Sequence, residues 1–290
     1  MKWSATPFYR QASSKTPSED GIAINEAAGL FVVCDGVSGP YSPSNPGINY
    51  EGGITGGQMA SRRIITEVMG ASSGRSIKEV LTDANLEIFR WHLSLGTKSQ
   101  DPQKEAVGGA CVAACQIANG NVTFVVAGDS FAFCKHRGGV LVITNFDQAA
   151  FDFEKKGDEY FQECKEKCRG SIGDAWDMYF SYFAQKQFYR ANKNLYKGGH
   201  AMFNGDLAVE NYWTVVSANT DGLSWILLCT DGLLPQLATD PSQEITLGKK
   251  VGELYERGGI PAILEWRDKE GNQPHITGYP EASAIEVKFD

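Results

Sequence analysis

The chain has 290 residues, of which 42% are apolar and 21% are charged, and it carries a formal net charge of −8. This acidic balance, without a run of five Lys or Arg residues, argues against nucleic acid or an anionic membrane surface as the main partner. The N-terminus lacks the apolar core of a signal peptide, and no stretch approaches the roughly 20 apolar residues of a membrane span. We therefore expect a cytoplasmic protein that does not cross a membrane.

The seven cysteines are an odd number, and they predict buried thiols in preference to a disulfide framework. Cys164 and Cys168 stand four residues apart in a charged helical stretch, without partners at zinc-site spacing. The four cysteines that fall within apolar runs, where a small thiol packs well, are Cys34, Cys111, Cys115 and Cys229.

The first hundred residues predict a hairpin followed by two helices. Two apolar runs, at 21–25 and 30–34, flank a turn at 26–29, which is the pattern of two paired strands. Apolar residues at helical spacing then predict helices over 58–70 and 76–95.

A glycine-rich segment at 52–57 precedes the first of these helices. It superficially resembles a phosphate-binding loop, but no Lys-Ser or Lys-Thr pair follows it. We interpret the segment as a flexible lead into the helix that begins near Gln58.

The middle of the chain predicts four strands and then a helical region. The strands, at 108–117, 122–127, 131–135 and 140–143, are separated by turn signals and favour an antiparallel meander. A mixed aromatic and charged region from 146 to about 194 is predicted to be helical.

The C-terminal part predicts two more strands, two helices and a final strand. The strands at 212–218 and 223–229 flank a turn at 219–222, which favours a hairpin. The last elements are helices at about 242–257 and 261–268 and a strand at 282–289. Helices placed between two groups of antiparallel strands predict two packed sheets covered by helices.

Acidic residues beside glycine lie next to several of the predicted strands. Asp35, Asp129 and Asp231 each follow an apolar strand-like run, and Glu19 and Asp20 precede the run at 21–25. A strand that ends in a carboxylate beside glycine is a common way to present oxygen ligands to a hard divalent cation. Each pair alone is also an ordinary turn signal. Their combination is what predicts a site.

The order of these motifs resembles the metal-dependent protein phosphatases of the 2C type, particularly their compact bacterial members. The resemblance covers nearly the whole chain. Its motifs are Glu19-Asp20, Asp35-Gly36, Gly108-Gly109, Gly128-Asp129-Ser130, Asp147-Gln148, Asn204-Gly205-Asp206, Asp231-Gly232 and Glu281-Ala282.

The resemblance implies an α+β fold, a four-layer α-β-β-α sandwich of two antiparallel sheets flanked by helices. Residues 1–290 would form a single domain, with a helical flap-like insertion at about 146–200. We hypothesise that this insertion shapes access of substrate to the cleft between the sheets.

The resemblance also implies that two Mn²⁺ or Mg²⁺ ions bind in that cleft. Asp35 would bridge the two ions, and the backbone carbonyl of Gly36 would complete the shell of one of them. Asp231 and Glu281 would bind the other ion. Oxygen-only ligands suit these two cations.

Three more acidic residues have implied roles around the ions. Asp20 and Glu19 would hold metal-bound water, directly or through hydrogen bonds. Asp129 would join Asp231 at a weaker third cation site, and its alternative role is that of a turn residue.

The implied activity is that of a serine/threonine protein phosphatase that hydrolyses phosphomonoesters with a metal-activated water. A phosphorylated protein would be the partner, with no nucleic acid or membrane, in a signalling role, and we expect a monomer. The chain supplies no competing nucleophile, because none of its four histidines adjoins an acidic motif and no Ser-His pair is visible.

Three departures from the family pattern keep a second interpretation open. Val37 stands where many members carry a histidine that protonates the leaving group. Lys15 stands in place of a phosphate-binding arginine, and is either the phosphate-binding residue or a solvated loop charge. Glu281 stands where aspartate is usual. The alternative function is therefore a catalytically weak or inactive phosphatase-like protein that binds or regulates a partner.

Overall fold

The structure is a computed structural model. It describes residues 2–12, 18–37, 54–95, 108–145, 148–179, 182, 191–192, 200–235, 240–270 and 281–290. Within these residues, two antiparallel sheets of five strands each are formed. Sheet A has the order β1-β10-β9-β6-β7 and sheet B the order β2-β3-β4-β5-β8.

The strands and helices are numbered in chain order. The strands are β1 (Trp3–Arg10), β2 (Gly21–Asn25), β3 (Leu30–Val37), β4 (Gly109–Ala118), β5 (Asn121–Ala127), β6 (Phe131–His136), β7 (Gly139–Thr144), β8 (Thr214–Asn219), β9 (Leu223–Cys229) and β10 (Ala282–Phe289). The α-helices are α1 (Gly56–Gly70), α2 (Ile77–Ser94), α3 (Gln148–Lys167), α4 (Ile172–Tyr179) and α5 (Glu244–Glu270). Short 3-10 helices lie at Leu207–Asn211, Asp231–Leu233 and Pro241–Gln243.

The two sheets pack face to face, and helices cover their outer faces. Strand β3 illustrates the arrangement, because Val32 and Cys34 belong to the core beneath α1 and α2. Phe31 and Val33 belong to the core between the sheets. Helix α5 covers the outer face of sheet A, the face that points away from sheet B. A strand buried on both faces is apolar along its whole length, as the run at 30–34 is. The predicted α+β four-layer sandwich is confirmed.

Two predicted strand pairings are wrong. The chain crosses from sheet B to sheet A between β5 and β6, so the predicted meander is split into the pairs β4-β5 and β6-β7. It crosses again between β8 and β9. Strand β8 pairs with β5 in sheet B, and β9 pairs with β10 and β6 in sheet A. These strands are apolar on both faces or lie at an edge, so local sequence does not reveal which sheet each joins.

The first strand, β1, was not predicted from the sequence. It contains Pro7, which cannot donate a backbone hydrogen bond, and it pairs only with β10 among the described strands. Proline is tolerated at such an edge position.

The helices begin and bend where the sequence provides signals. Thr55 and Gln58 form a capping box at the start of α1, and each side chain bonds the backbone of the other. Helix α5 bends at Gly258 and Gly259, so it corresponds to the two helices predicted there.

Helices α3 and α4 belong to the predicted insertion. They pack against each other through a small cluster that contains Phe161, Cys164 and Ala175. Much of the remaining insertion lies outside the described residues. Among the described helices, none has the length and apolar character needed to cross a membrane.

Candidate functional site

Sheet B brings two of the predicted carboxylates together. Asp35 lies near the end of β3, and Asp20 immediately precedes β2. Because Gly21 pairs with Cys34, Asp20 and Asp35 are the next residues along the two antiparallel strands. This register makes them neighbours at one end of strands β2 and β3.

Sheet A brings two more carboxylates to the same region, at the ends of its strands β9 and β10. Asp231 follows β9 and Glu281 precedes β10, and these two strands pair. The two backbone segments approach so closely that a Cβ atom on Gly232 would lie 1.7 Å from the carbonyl oxygen of Glu281. Only glycine fits at position 232 without displacement of the backbone.

These side chains form one electrostatic group, which we call the acidic cluster: Asp20, Asp35, Asp129, Asp231 and Glu281. Burial raises the pKa of Asp35 well above its ordinary value, and the charges of Asp20, Asp231 and Asp129 raise it further. Burial likewise raises the pKa of Asp20, with further contributions from Glu281 and Asp231.

Three members of the acidic cluster have no cationic side chain paired with them in the described residues, whereas the charge of Arg267 acts on Asp231. Within the described part of the chain, no Lys, Arg or His forms an ion pair with Asp20, Asp35 or Asp129. In addition, Oδ1 of Asp129 is buried and finds no hydrogen-bond partner there. Uncompensated carboxylate oxygens are the donor type that a hard divalent cation prefers.

The side chains are not arranged as a finished metal site. Among the described residues, no group of three or more His, Cys, Asp and Glu side chains is placed to hold an ion as it stands. The donor chemistry nevertheless fits a hard divalent cation.

Close glycine packing positions the first acidic motif. A Cβ atom on Gly36 would lie 2.5 Å from the carbonyl oxygen of Glu19, and one on Gly57 would lie 2.7 Å from the carbonyl carbon of Gly36. The side chain of Glu19 accepts a hydrogen bond from the hydroxyl of Thr55, the N-cap of α1. The segment interpreted as a flexible lead into α1 thus ends, at 54–57, in the N-cap and the tightly packed first residues of α1.

Two polar residues that sequence reasoning missed support the cluster. Thr230 donates from Oγ1 to Oδ2 of Asp20 at 3.1 Å, which links sheet A to sheet B. Arg267 of α5 is 1% exposed and donates from Nη1 to the carbonyl of Gly232 at 2.5 Å. Nothing in the local sequence marks either contact, because the partners are far apart in the chain.

Three cysteines lie beneath the carboxylates. Cys34 precedes Asp35, Cys111 pairs with Asp35 across β3 and β4, and Cys229 lies two residues before Asp231. Burial raises the pKa of each thiol, and nearby carboxylate charges raise it further. The three thiols are therefore neutral, buried groups.

Other predicted motifs lie elsewhere or outside the described residues. The Asn204-Gly205-Asp206 motif is fastened to α2 by Asn85, which accepts from the amide of Gly205 and donates to the carbonyl of Asp206. Val37 packs in a small apolar cluster with Cys111 and Met202. Lys15 and Asp147 lie outside the described residues.

The fold is that of known bacterial phosphatases. The Mycobacterium tuberculosis serine/threonine phosphatase PstP/Ppp superposes with a TM-score of 0.56 at 15% identity, over 99% of each chain. A catalytic domain of PstP in complex with two manganese ions gives 0.55 at 14% identity, over 99% of this chain and 97% of that one. Stp1 from Staphylococcus aureus gives 0.56 at 13% identity, over 100% and 96%. The fold expected from the 2C-type resemblance is thus confirmed.

The sequence itself is distant from known families. No family model matches it, and no curated protein does either. At these identities, the likeness to solved structures concerns the fold.

Proposed function

We propose that this chain is a metal-dependent serine/threonine protein phosphatase that hydrolyses phosphomonoesters. The observation that carries the proposal is the acidic cluster, in which carboxylates from both sheets meet, and burial and their charges raise the pKa of Asp35 and Asp20. A fold maintained only for packing or partner binding has no reason to bury mutually repelling carboxylates, because each raises the free energy of the others. The phosphatase fold of the chain supports the same conclusion.

The chemistry of the donors assigns residues to the cations. Asp35 would bridge two Mn²⁺ or Mg²⁺ ions, with the carbonyl of Gly36 beside one and Asp231 beside the other. Asp129, with its buried and unpartnered oxygen, would contribute to a weaker third site. Two such cations supply, when bound, an acidified water as nucleophile and neutralise charge on the phosphoryl oxygens. The solved PstP complex holds two manganese ions.

Residues around the cluster hold its carboxylates in place. The hydroxyl of Thr230 donates to Asp20, and the hydroxyl of Thr55 donates to Glu19. In the proposed role, both carboxylates would hold metal-bound water, directly or through hydrogen bonds. Outer partners of this kind fix the direction of a ligand and tune its basicity.

Three buried cysteines and one buried histidine among the described residues are not set up to act as nucleophiles. A cysteine phosphatase needs a thiolate, and burial keeps Cys34, Cys111 and Cys229 protonated. His92 is also buried, and burial lowers its pKa to about 4, so that the ring is neutral. Attack by water does not depend on these side chains, which agrees with the proposal.

Several finer points extend the proposal. Lys15 would bind the substrate phosphate as a point charge, and the 290 residues would act as one domain whose insertion borders the cleft. The seven cysteines are free thiols, six of them buried, which suits a reducing cytoplasm. We propose a monomer, which size-exclusion chromatography with light scattering tests directly.

The test is hydrolysis of p-nitrophenyl phosphate and of a phosphothreonine peptide with added Mn²⁺. Asp35→Ala and Asp231→Ala should each lower kcat/KM by about 1,000-fold, because metal-centred charge stabilisation is worth several kcal/mol. Asp221→Ala is a matched control, because Asp221 also stands in a Thr-Asp-Gly sequence but is exposed at the β8-β9 turn. Equal activity in the Asp231 and Asp221 variants would refute the assignment.

One observation favours the non-catalytic alternative. Val37 contributes to apolar packing at the position where many 2C-type phosphatases carry a proton donor. A parent protein that binds Mn²⁺ but releases no phosphate from either substrate would support a binding or regulatory role.

A further inference from the structure

The side chain of Glu281 is already engaged within the protein. Ser18 donates from its hydroxyl to Oε1 of Glu281, and the backbone amide of Glu19 donates to Oε2 at 3.0 Å. The hydroxyl of Tyr9 lies beside the same carboxylate. Both oxygens of Glu281 therefore face donors of the chain.

The segment that Glu281 binds is held from the other side by α1. Gln58 donates to the carbonyl of Ser18 at 2.6 Å, and Ser61 donates to the carbonyl of Glu19 at 2.8 Å. Helix α1 covers sheet B, whereas Glu281 leads into β10 of sheet A. The bonds of Glu281 thus fasten the Ser18-Glu19 segment, which is attached to one sheet, to the opposite sheet.

The length of the Glu281 side chain matters for this contact. Its backbone is pressed against Gly232, at which a Cβ atom would lie 1.7 Å from the Glu281 carbonyl oxygen. The backbone of residue 281 is therefore fixed in place by close packing against Gly232. An aspartate side chain there would end about 1.5 Å, one carbon–carbon bond, short of the present carboxylate.

We infer that Glu281 is a positioning residue, which holds Asp20 in the acidic cluster through the Ser18-Glu19 segment, and not a direct ligand of a cation. Asp20 follows Glu19 directly, so the two hydrogen bonds of Glu281 fix the backbone position from which the side chain of Asp20 extends. The 2C-type resemblance assigned Glu281 to an ion, and its observed contacts favour the other role. The inference rests on the proposed function, because it assumes that the acidic cluster binds cations.

Two conservative variants separate the roles, with Mn²⁺ affinity measured by isothermal titration calorimetry. In Glu281→Gln, the amide oxygen accepts from the Glu19 amide and the amide nitrogen donates to the Ser18 hydroxyl, so both bonds persist. We expect its affinity to stay within about threefold of the parent. Glu281→Asp keeps the charge, but its side chain is too short to accept from Ser18 and Glu19. We expect it to bind Mn²⁺ at least about tenfold more weakly than the parent, as for other outer-shell partners.

A direct ligand predicts the reverse order, because a shorter carboxylate still ligates a hard cation whereas a neutral amide does so poorly. Tighter binding by the Asp variant than by the Gln variant would overturn the inference.

Hydrogen exchange of the Glu19 amide in the metal-free protein gives a second readout. This amide should exchange faster than the parent's in Glu281→Asp and at nearly the parental rate in Glu281→Gln. Unchanged exchange in the Asp variant would also refute the positioning role. If the parent binds no Mn²⁺, the proposed function fails, but the exchange comparison still tests the contact. Ser18→Ala, which removes one of the two bonds, should give an intermediate rate.

Discussion

Asp35 of sheet B and Asp231 of sheet A interact across the interface of the two sheets, so that burial and the charge of Asp231 together raise the pKa of Asp35. Burial is the larger cause of that rise, and the charges of Asp20 and Asp129 add to it. Burial of these carboxyl groups therefore lowers the stability of the protein without cations and favours the binding of positive charge.

Asp35→Asn should stabilise the metal-free protein. A carboxyl group whose pKa is higher in the folded state than in the unfolded state destabilises the fold when it is ionised. This cost disappears as the pH falls to the ordinary carboxyl range, and Asn removes it at every pH. We expect a gain of about 1 kcal/mol at pH 7.5, as is usual when active-site strain is relieved. Urea unfolding at pH 7.5 and pH 4 measures it, and a variant less stable than the parent at pH 7.5 would contradict the assignment.

Mn²⁺ should reverse this ranking. A ligand at 100 times its Kd stabilises the state that binds it by about 2.7 kcal/mol. The parent should show this increase in a thermal unfolding series with Mn²⁺, and Asp35→Asn should show much less. Asp221→Asn, at an exposed turn, should respond like the parent. Equal shifts in all three proteins would place the bound ion elsewhere.

Gly232→Ala should destabilise the protein strongly. The new Cβ atom would meet the Glu281 carbonyl oxygen at 1.7 Å, and that atom is backbone that cannot simply rotate away. We expect a loss of about 3 kcal/mol, the upper range for overpacking. Gly70→Ala is the control, because nothing lies within 4 Å of its added Cβ atom at the end of α1. Guanidinium unfolding compares the two, and similar stabilities would contradict the close packing.

The sequence predicts the carboxylates of the site better than their surroundings. Asp35 and Asp231 are visible because each ends a local apolar run beside glycine, so neither depends on knowledge of the fold. Thr55 was also detectable, since a Thr followed by Gln three residues later is a capping-box signature. Thr230 and Arg267 were not, because their partners are brought near only by pairing of distant strands and by packing of α5.

Assignment of strands to sheets was likewise beyond local sequence. The turn at 219–222 has hairpin chemistry, yet it joins β8 of sheet B to β9 of sheet A. Both strands were recognised correctly. Their partners depend on which apolar faces meet in the folded protein, which periodicity does not encode.

His92 should make stability depend on pH between about 4 and 6.5. The ring is 4% exposed on α2, and burial lowers its pKa from 6.5 to about 4. Its contribution is complete above pH 6.5 and is lost as the pH falls toward 4, by up to about 3 kcal/mol. His92→Gln should remove this part of the pH dependence, measured as the difference from the parent in urea unfolding. Replacement of the exposed His136 is the control, and an equal effect of both variants would refute the role of His92.

Asn145→Ala should loosen the connection between the Asp129 turn and the segment that follows the insertion. Oδ1 of Asn145 accepts from the amides of Gly128 and Ala201, at 3.2 and 2.9 Å, and Nδ2 donates to the carbonyl of Tyr212 at 2.6 Å. Truncation leaves these buried groups without their partner, and each such loss costs about 1 to 3 kcal/mol.

We expect the Asn145 variant to lose about 3 kcal/mol in urea unfolding and to exchange the Gly128 and Ala201 amides faster than the parent does. Asn121→Ala is the matched control, because Asn121 is exposed and its side chain donates to the nearby Asn119 carbonyl. That change should alter stability by less than about 0.5 kcal/mol. Faster exchange at Gly128 without faster exchange at Ala201 would mean that Asn145 supports the Asp129 turn alone, and that the two segments are not coupled through it.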